Sequence, residues 1–419
     1  MGKASIVYVI GLGVIIAIAL MNVNATSTTA AGNYGEYYGR SMAHDIAITG
    51  ANIVTQKLLF DATYNTNLLD QSYAGGAFDV YIERPNADSV WVKSYAAFDI
   101  SNETIRDTVI ACLRFTSFGK YGWFTDAEKN GYVGCPYYGA SDWKITGDSV
   151  FGYAHTNSRF NLGGTPYFND KVTATNAPQL MKVNGVIAPV YKAGYQWGIT
   201  VTRPTSNMTR LLNTAALGGV VFNGSDVSLN FMDTKVAVRI PPSTGATRND
   251  TVDISALAPN GVIAVNNGDL RIKGTYSGKI TVSSVTGNVW LDGTGIRAVD
   301  NPATDPSSTD MMGIVAEKSV YISKDLTRTT ASIFDIQAAV YCQTGELTAE
   351  SFWTIPKSGR VNLFGGVTQA TAGSLGVFNS SGLTNGMFYT VRHDARYNFT
   401  TPPAYPLSSK YELISWWEN

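Results

Sequence analysis

The sequence predicts an α+β protein: a long N-terminal α-helix, apolar then amphipathic, followed by a β-rich remainder that is part meander or sandwich and part β-solenoid. Three observations predict it. The opening is uncharged and apolar, its continuation keeps helical spacing, and the rest of the chain consists of short β-branched and aromatic runs divided by Gly, Asn and Pro. At 419 residues the chain exceeds one ordinary core. The expected organisation is a helix over residues 1–62, a β-rich domain over 63–250 and a solenoid-like domain over 251–419. Hydrophobic residues make up 44%, which argues against disorder, and only 15% are charged, below the roughly 25% of an average soluble domain. With 31 basic and 32 acidic side chains the net charge is −1, so the chain has no electrostatic footprint for nucleic acid. Low charge with 41 Gly and 23 Tyr reads as secreted β-structure rather than a cytosolic enzyme.

From Ala4 to Gly35 the chain carries no charge. Its apolar heart, Ile6 to Met21, makes a helix of about 24 Å, and Ala4, Ser5 and Asn22 to Ala25 extend it toward the roughly 30 Å of a bilayer core. Three readings compete. A cleaved signal peptide would use Lys3 as its basic end and Val23-Asn24-Ala25 as its small-residue site. A membrane anchor would leave everything after Asn22 outside. A third kind of helix would sit first in the inner membrane and later in the core of a filament, packed against copies of itself. The continuation favours the third: Met42, Ile46, Ile53, Val54 and Leu58 fall on one side, and Asp45, Asn52 and Gln56 on another. A cleaved signal has no need of that second, amphipathic stretch. Gly32, Gly35 and Gly39 each weaken a helix by about 1 kcal/mol relative to Ala, so a kink or melted turn is expected near residues 30–40.

Strands come next. Phe78 to Glu83, Val90 to Ile100 and Thr108 to Phe115 are divided by Arg84-Pro85-Asn86 and Ser101-Asn102, as in a meander. Phe118 to Tyr138 is rich in aromatic residues and reads as core and turns before it reads as a carbohydrate-stacking face. Runs at Val262 to Val265, Leu270 to Ile272, Ile280 to Val282 and Val289 to Leu291 recur every eight to ten residues with Gly or Asn between them. Val320 to Ile322, Ile333 to Val340 and Val361 to Phe364 continue the series. Such strands suit the rungs of a parallel β-solenoid, with an antiparallel sandwich as the alternative.

Several stretches resemble a family of pilin-like bacterial surface proteins. They are Gly147 to Asn157, Gly164 to Phe168, Gly268 to Gly274, Asn301-Pro302, Asp310 to Glu317, Gly365 to Gln369, His393 to Arg396 and Pro402-Pro403. The resemblance runs from about residue 30 to the end and rests on turn residues, so it speaks for architecture and not for chemistry. It implies a structural subunit of a pilus-like filament at the cell surface, with copies of itself as partners. Ser5 stands where that family usually carries Glu. The assembly interface expected on the helix is Ile6, Val9, Ile10, Gly11, Gly13, Val14, Ala17, Ile18, Ala19 and Met21.

Neither a cofactor nor a catalytic constellation is expected. His44 lies on the amphipathic stretch as a polar contact, His155 sits among turn formers, and His393-Asp394-Ala395-Arg396 reads as a salt-bridge cluster. Asp300, Asp305 and Asp310 flank a loop whose spacing matches no calcium loop. Spacing allows a Cys112–Cys135 bridge, with Cys342 left as a buried thiol. Of seven Asn-x-Ser/Thr sites, Asn207 and Asn249 are examples that would take glycans where a glycosylation system exists. The alternative function is a membrane-anchored or secreted β-solenoid that binds or cleaves polysaccharide. Its charged groups over 262–292 are few: Asp269, Arg271, Lys273, Lys279 and Asp292.

Overall fold

A computed structural model of the chain describes residues 2–100, 103–203, 207–241 and 248–418. The fold divides into two compact units, residues 1–115 with 409–419, and residues 116–408. The boundaries therefore differ from those expected near residues 62 and 250. The reason is packing: the meander closes on the helix that precedes it, and the last strand of the chain joins the same sheet.

In the first unit, helix α1 runs unbroken over Gly2–Phe60, about 88 Å at the α-helical rise. No turn is melted near residues 30–40, where every residue is helical. Gly32, Gly35 and Gly39 lie inside the helix, because the modest cost of each Gly is smaller than that of losing several i→i−4 bonds. In the preceding polar stretch, the hydroxyls of Thr26, Thr28 and Thr29 donate to the carbonyls of Asn22, Asn24 and Ala25, so these side chains need no outside partner.

Strands β1 (Leu68–Tyr73), β2 (Gly76–Asn86), β3 (Ser89–Ile100) and β4 (Glu103–Ser117) pair antiparallel in sequence order, as the meander predicted, and the C-terminal strand Leu407–Glu418 lies beside β4. The turn at Ser101-Asn102 lies outside the described residues. One face of the sheet, with Phe78, Val80, Val90, Val92, Val109, Ala111 and Leu113, buries Ala43, Ile46, Ala47, Ala51, Val54 and Leu58 of α1. Val54 and Leu58 sit where the spacing put them, and Asp45, Asn52 and Gln56 face away. Ile53 does not join the core: it is 37% exposed, because one residue turns the helix about 100° from Val54. The contact is close because it is made by small residues. A Cβ on Gly50 would lie 2.5 Å from Ser94 Oγ and 2.7 Å from Phe78 Cδ2, and one on Gly39 would lie 2.4 Å from Ile105 Cδ1. Gly50→Ala is expected to cost about 1–3 kcal/mol by overpacking. Gly35→Ala meets nothing within 4 Å and is expected not to destabilise the unit. Urea titration of the two variants, followed by circular dichroism, checks the contrast.

The second unit is built from parallel ladders. One row runs through Val220–Asn223, Val262–Asn266, Lys279–Ser284, Met311–Ala316, the ends of Ile333–Cys342 and Arg360–Thr371, then Trp123–Ala127, Ala154–Thr156, Val172–Ala174 and Tyr195–Trp197. A second row pairs Val227–Asp233, Leu270–Tyr276 and Val289–Ala298, and a third pairs Lys144–Ile145, Asn161–Gly163 and Gln179–Met181. All pairings in these rows are parallel, and the side chains between them form one continuous core that includes Val265, Ile272, Ile314 and Leu363.

The spatial order is not the sequence order. The chain starts in the middle of the first row at Trp123 and winds to one end at Trp197. It then returns through Arg203 and helix α2 (Asn207–Gly218) to the far end at Val220. From there it winds back until Val367 pairs with Trp123. The return segment is tied down along its way. Val201 N–H donates to Asn157 Oδ1 at 2.9 Å, Arg203 Nε to Asp126 Oδ2 at 2.7 Å, and Leu211 and Ala215 pack among Val262, Ala264 and Val285. An antiparallel pair, Lys235–Ile240 with Arg248–Asp253, adjoins Val227–Asp233 at the far end.

Candidate assembly interface

The residues expected from the sequence to form the interface, Ile6, Val9, Ile10, Gly11, Gly13, Val14, Ala17, Ile18, Ala19 and Met21, lie on one uninterrupted helix. Every large apolar side chain from Ile6 to Val23 is at least half exposed, from 50% at Ile16 to 84% at Tyr8. The apolar positions run all round the helix, the pattern of a helix surrounded on every side by apolar material. The span is long and apolar enough to cross a membrane, and nothing in the described chain buries it. A Cβ on Gly11 or Gly13 would meet no atom within 4 Å, whereas Gly39 and Gly50 are held against the sheet. The chain's own packing thus accounts for Gly39 and Gly50, and not for Gly11, Gly13, Gly32 or Gly35.

Sequence reasoning missed the close-packed positions Gly39, Ala43, Ala47 and Gly50. Their recurrence at three- and four-residue intervals was a usable signal. It also missed the exposed apolar groups Tyr34, Tyr37 and Phe60 further along the helix. His44 is a polar contact within the chain: Nδ1 lies 2.7 Å from Asp107 Oδ2 and Nε2 lies 3.4 Å from Glu418 Oε2.

The other residues singled out from the sequence divide between core and surface. Phe118, Tyr121, Trp123 and Phe124 are core, while Tyr137 and Tyr138 are exposed. His155 is buried, with Nδ1 2.7 Å from Thr173 Oγ1 and Nε2 2.9 Å from Asn157 Oδ1, and burial holds its pKa below the ordinary value. Arg396 chelates Asp394 through Nε and Nη2, the salt bridge expected there, but His393 points elsewhere and donates to Gly119 O at 3.0 Å. Asp310 accepts from Gly278 N–H at 2.6 Å and from Asp300 N–H at 3.1 Å. Among the described residues no group of three or more His, Cys, Asp or Glu is arranged to hold a metal ion. Cys112, Cys135 and Cys342 are all free. The Cys112–Cys135 bridge that the spacing allowed is not formed: Cys112 lies in β4 of the first unit and Cys135 in the turns after Trp123–Ala127 of the second. Arg271 is paired with Asp292 at 3.0 Å. The side chain of Asn207 lies outside the described residues, and Asn249 is exposed on a strand.

One polar cluster was not visible in the sequence. Lys144, 1% exposed, contacts Asp142 and lies 3.3 Å from Glu128 Oε2, with the Trp123 ring centroid 4.0 Å from Nζ. Beside it, Asp148 accepts from Ile145 N–H at 2.8 Å, and burial pushes its pKa up to about 8. Glu346, which accepts from Gly131 N–H at 2.6 Å, is raised by burial to about 7. Both carboxyls hold their protons more tightly folded than unfolded, so the folded state binds more protons above pH 4. The contribution of these two carboxyls to the stability of the second unit is expected to fall as pH rises from about 4 to about 8 and to level off beyond, while buried His155 and His393, with lowered pKa values, act in the opposite sense at the acid end. Thermal melts across that range check this, and Asp148→Asn should flatten the slope.

No family model matches the chain, and no curated protein does. Among solved structures the chain is similar to the competence-associated pilin ComZ from Thermus thermophilus, with a TM-score of 0.36 and 10% identity, over 90% of this chain and 97% of that one.

Proposed function

We propose that this protein is a structural subunit of a pilus-like filament at the cell surface, with no catalytic role of its own. The first half of α1 waits in the inner membrane, then packs against copies of itself in the filament core, leaving the β-structure outside. The observation that carries this reading is the division of α1. From Gly39 onward one side of the helix is buried on its own sheet, while Ile6 to Val23 is mostly apolar, exposed all round, and covered by nothing among the described residues. Moving that rod from lipid into a bundle gains little hydrophobic free energy, because lipid tails are as apolar as Leu. Close approach through Gly11, Gly13, Ala17 and Ala19 supplies the specific attraction instead. The parallel ladders of the second unit are read as rungs of a β-solenoid, whose Ser-, Thr- and Asn-rich exterior faces solvent permanently.

Electron microscopy of sheared surface material, with N-terminal sequencing of its main band, tests the proposal. Filaments whose subunit retains Ile6 onward are expected. A soluble monomer beginning at Thr26 would overturn it.

A further inference from the structure

We propose that Lys144 and Glu128 become joined by an amide bond formed by the protein itself, a covalent staple inside the second unit. Lys144 Nζ stands 3.3 Å from Glu128 Oε2, and both side chains are only 1% exposed. The pair is walled by the rings of Trp123 and Tyr389, with centroids 4.0 and 5.7 Å from Nζ. The other oxygen of Glu128, Oε1, accepts two hydrogen bonds, from Trp123 Nε1 at 3.3 Å and from the Thr125 hydroxyl. That oxygen is where negative charge collects when an amine adds to the carboxyl carbon, so the two donors form an oxyanion site in place. Asp142 Oδ2 also contacts Nζ, and Ser374 Oγ donates to its other oxygen at 2.9 Å. Asn161 Nδ2 braces the backbone carbonyls of Glu128 and Asp142 at 3.1 and 2.8 Å.

The condensation needs no outside reagent. The Lys144 ammonium gives one proton to Asp142, which relays it to Glu128 Oε2, leaving a neutral amine beside a neutral carboxyl. Burial and the charge of Glu128 raise the proton affinity of Asp142, which suits it to this relay. The Nζ lone pair then attacks Cδ, the C–N bond forms, and Oε1 carries the charge. A second Nζ proton travels through Asp142 to Oε2, the C–Oε2 bond breaks, and water leaves. One hydrogen stays on nitrogen, Oε1 becomes the amide oxygen, and Asp142 is restored. Reactive atoms fixed at contact distance remove most of the entropic barrier to such a step. The product also replaces two buried charges, which are costly to keep out of water, with a neutral group. The bond closes residues 129–143, which include the exposed Val133 and Tyr138, into a loop that cannot be pulled open.

Peptide mass spectrometry of the denatured, trypsin-digested full-length protein tests this. The expected product is a branched peptide joining Lys144 to Glu128, one water lighter than its two parts, with no cleavage after Lys144. Lys144→Arg and Asp142→Asn should each give linear peptides only. Linear wild-type peptides cut after Lys144, with Glu128 unmodified, would overturn the proposal, as would a branch to Asp142 instead. A branch that survives in Asp142→Asn would overturn the relay. The wild-type digest decides the main point even where a variant fails to fold.

Discussion

Enlarging Gly13 and Ala17 together to Leu is expected to abolish filaments while both β-rich units stay folded. Neither position touches the rest of the chain, and a side chain on Gly13 points into open space. The subunit alone should therefore tolerate the change and gain slightly in helix propensity, by about 1 kcal/mol at Gly13. In a bundle of such helices the added bulk pushes neighbouring backbones apart and removes the close contact that small residues permit. Circular dichroism of the detergent-solubilised subunit should match the wild type, and electron microscopy of the cell surface should show bare cells. Filaments in normal number would mean that the apolar rod does not pack through these positions.

Lys144→Ala is expected to be the most damaging single change in the second unit, at about 3–5 kcal/mol. Without the Lys144 side chain neither the cation nor the amide proposed above is present, and the carboxyls of Glu128 and Asp142, both buried, are left uncompensated. Arg40→Ala, which breaks an exposed ion pair with Glu36 on α1, should cost less than about 1 kcal/mol. Urea unfolding followed by tryptophan fluorescence, with Trp123 beside the cluster, separates the two cases. Equal losses would mean that the cluster is hydrated in solution.

The rod was legible from the sequence because an uncharged apolar run of that length has few ways to be satisfied. The meander was legible because β2, β3 and β4 are long and β-branched. The tight seat of α1 was harder to read: Gly39, Ala43, Ala47 and Gly50 carry little hydrophobicity, and their role comes from how near they let the sheet approach. Strands such as Ala154–Thr156 and Val172–Ala174 escaped notice for a different reason. They are short and hold polar residues, and they are buried by stacking on neighbours rather than by any pattern of their own. The glycines at 32 and 35 misled, since a helix anchored on a sheet tolerates what would break an isolated one. The Lys144 cluster was out of reach because its members are scattered between Glu128 and Asp148, and only the winding of the chain gathers them.

The winding order also bears on how the molecule is made. Trp123–Ala127 leaves the ribosome early, yet the strand that must pair with its open flank, Arg360–Thr371, is among the last synthesised. Until then a nascent chain carries a bare strand edge, which invites pairing with other chains. Contacts so distant in sequence make folding slow. A chain truncated before residue 360 should therefore clump rather than yield a smaller soluble domain, and full-length protein refolded from denaturant should recover best when dilute.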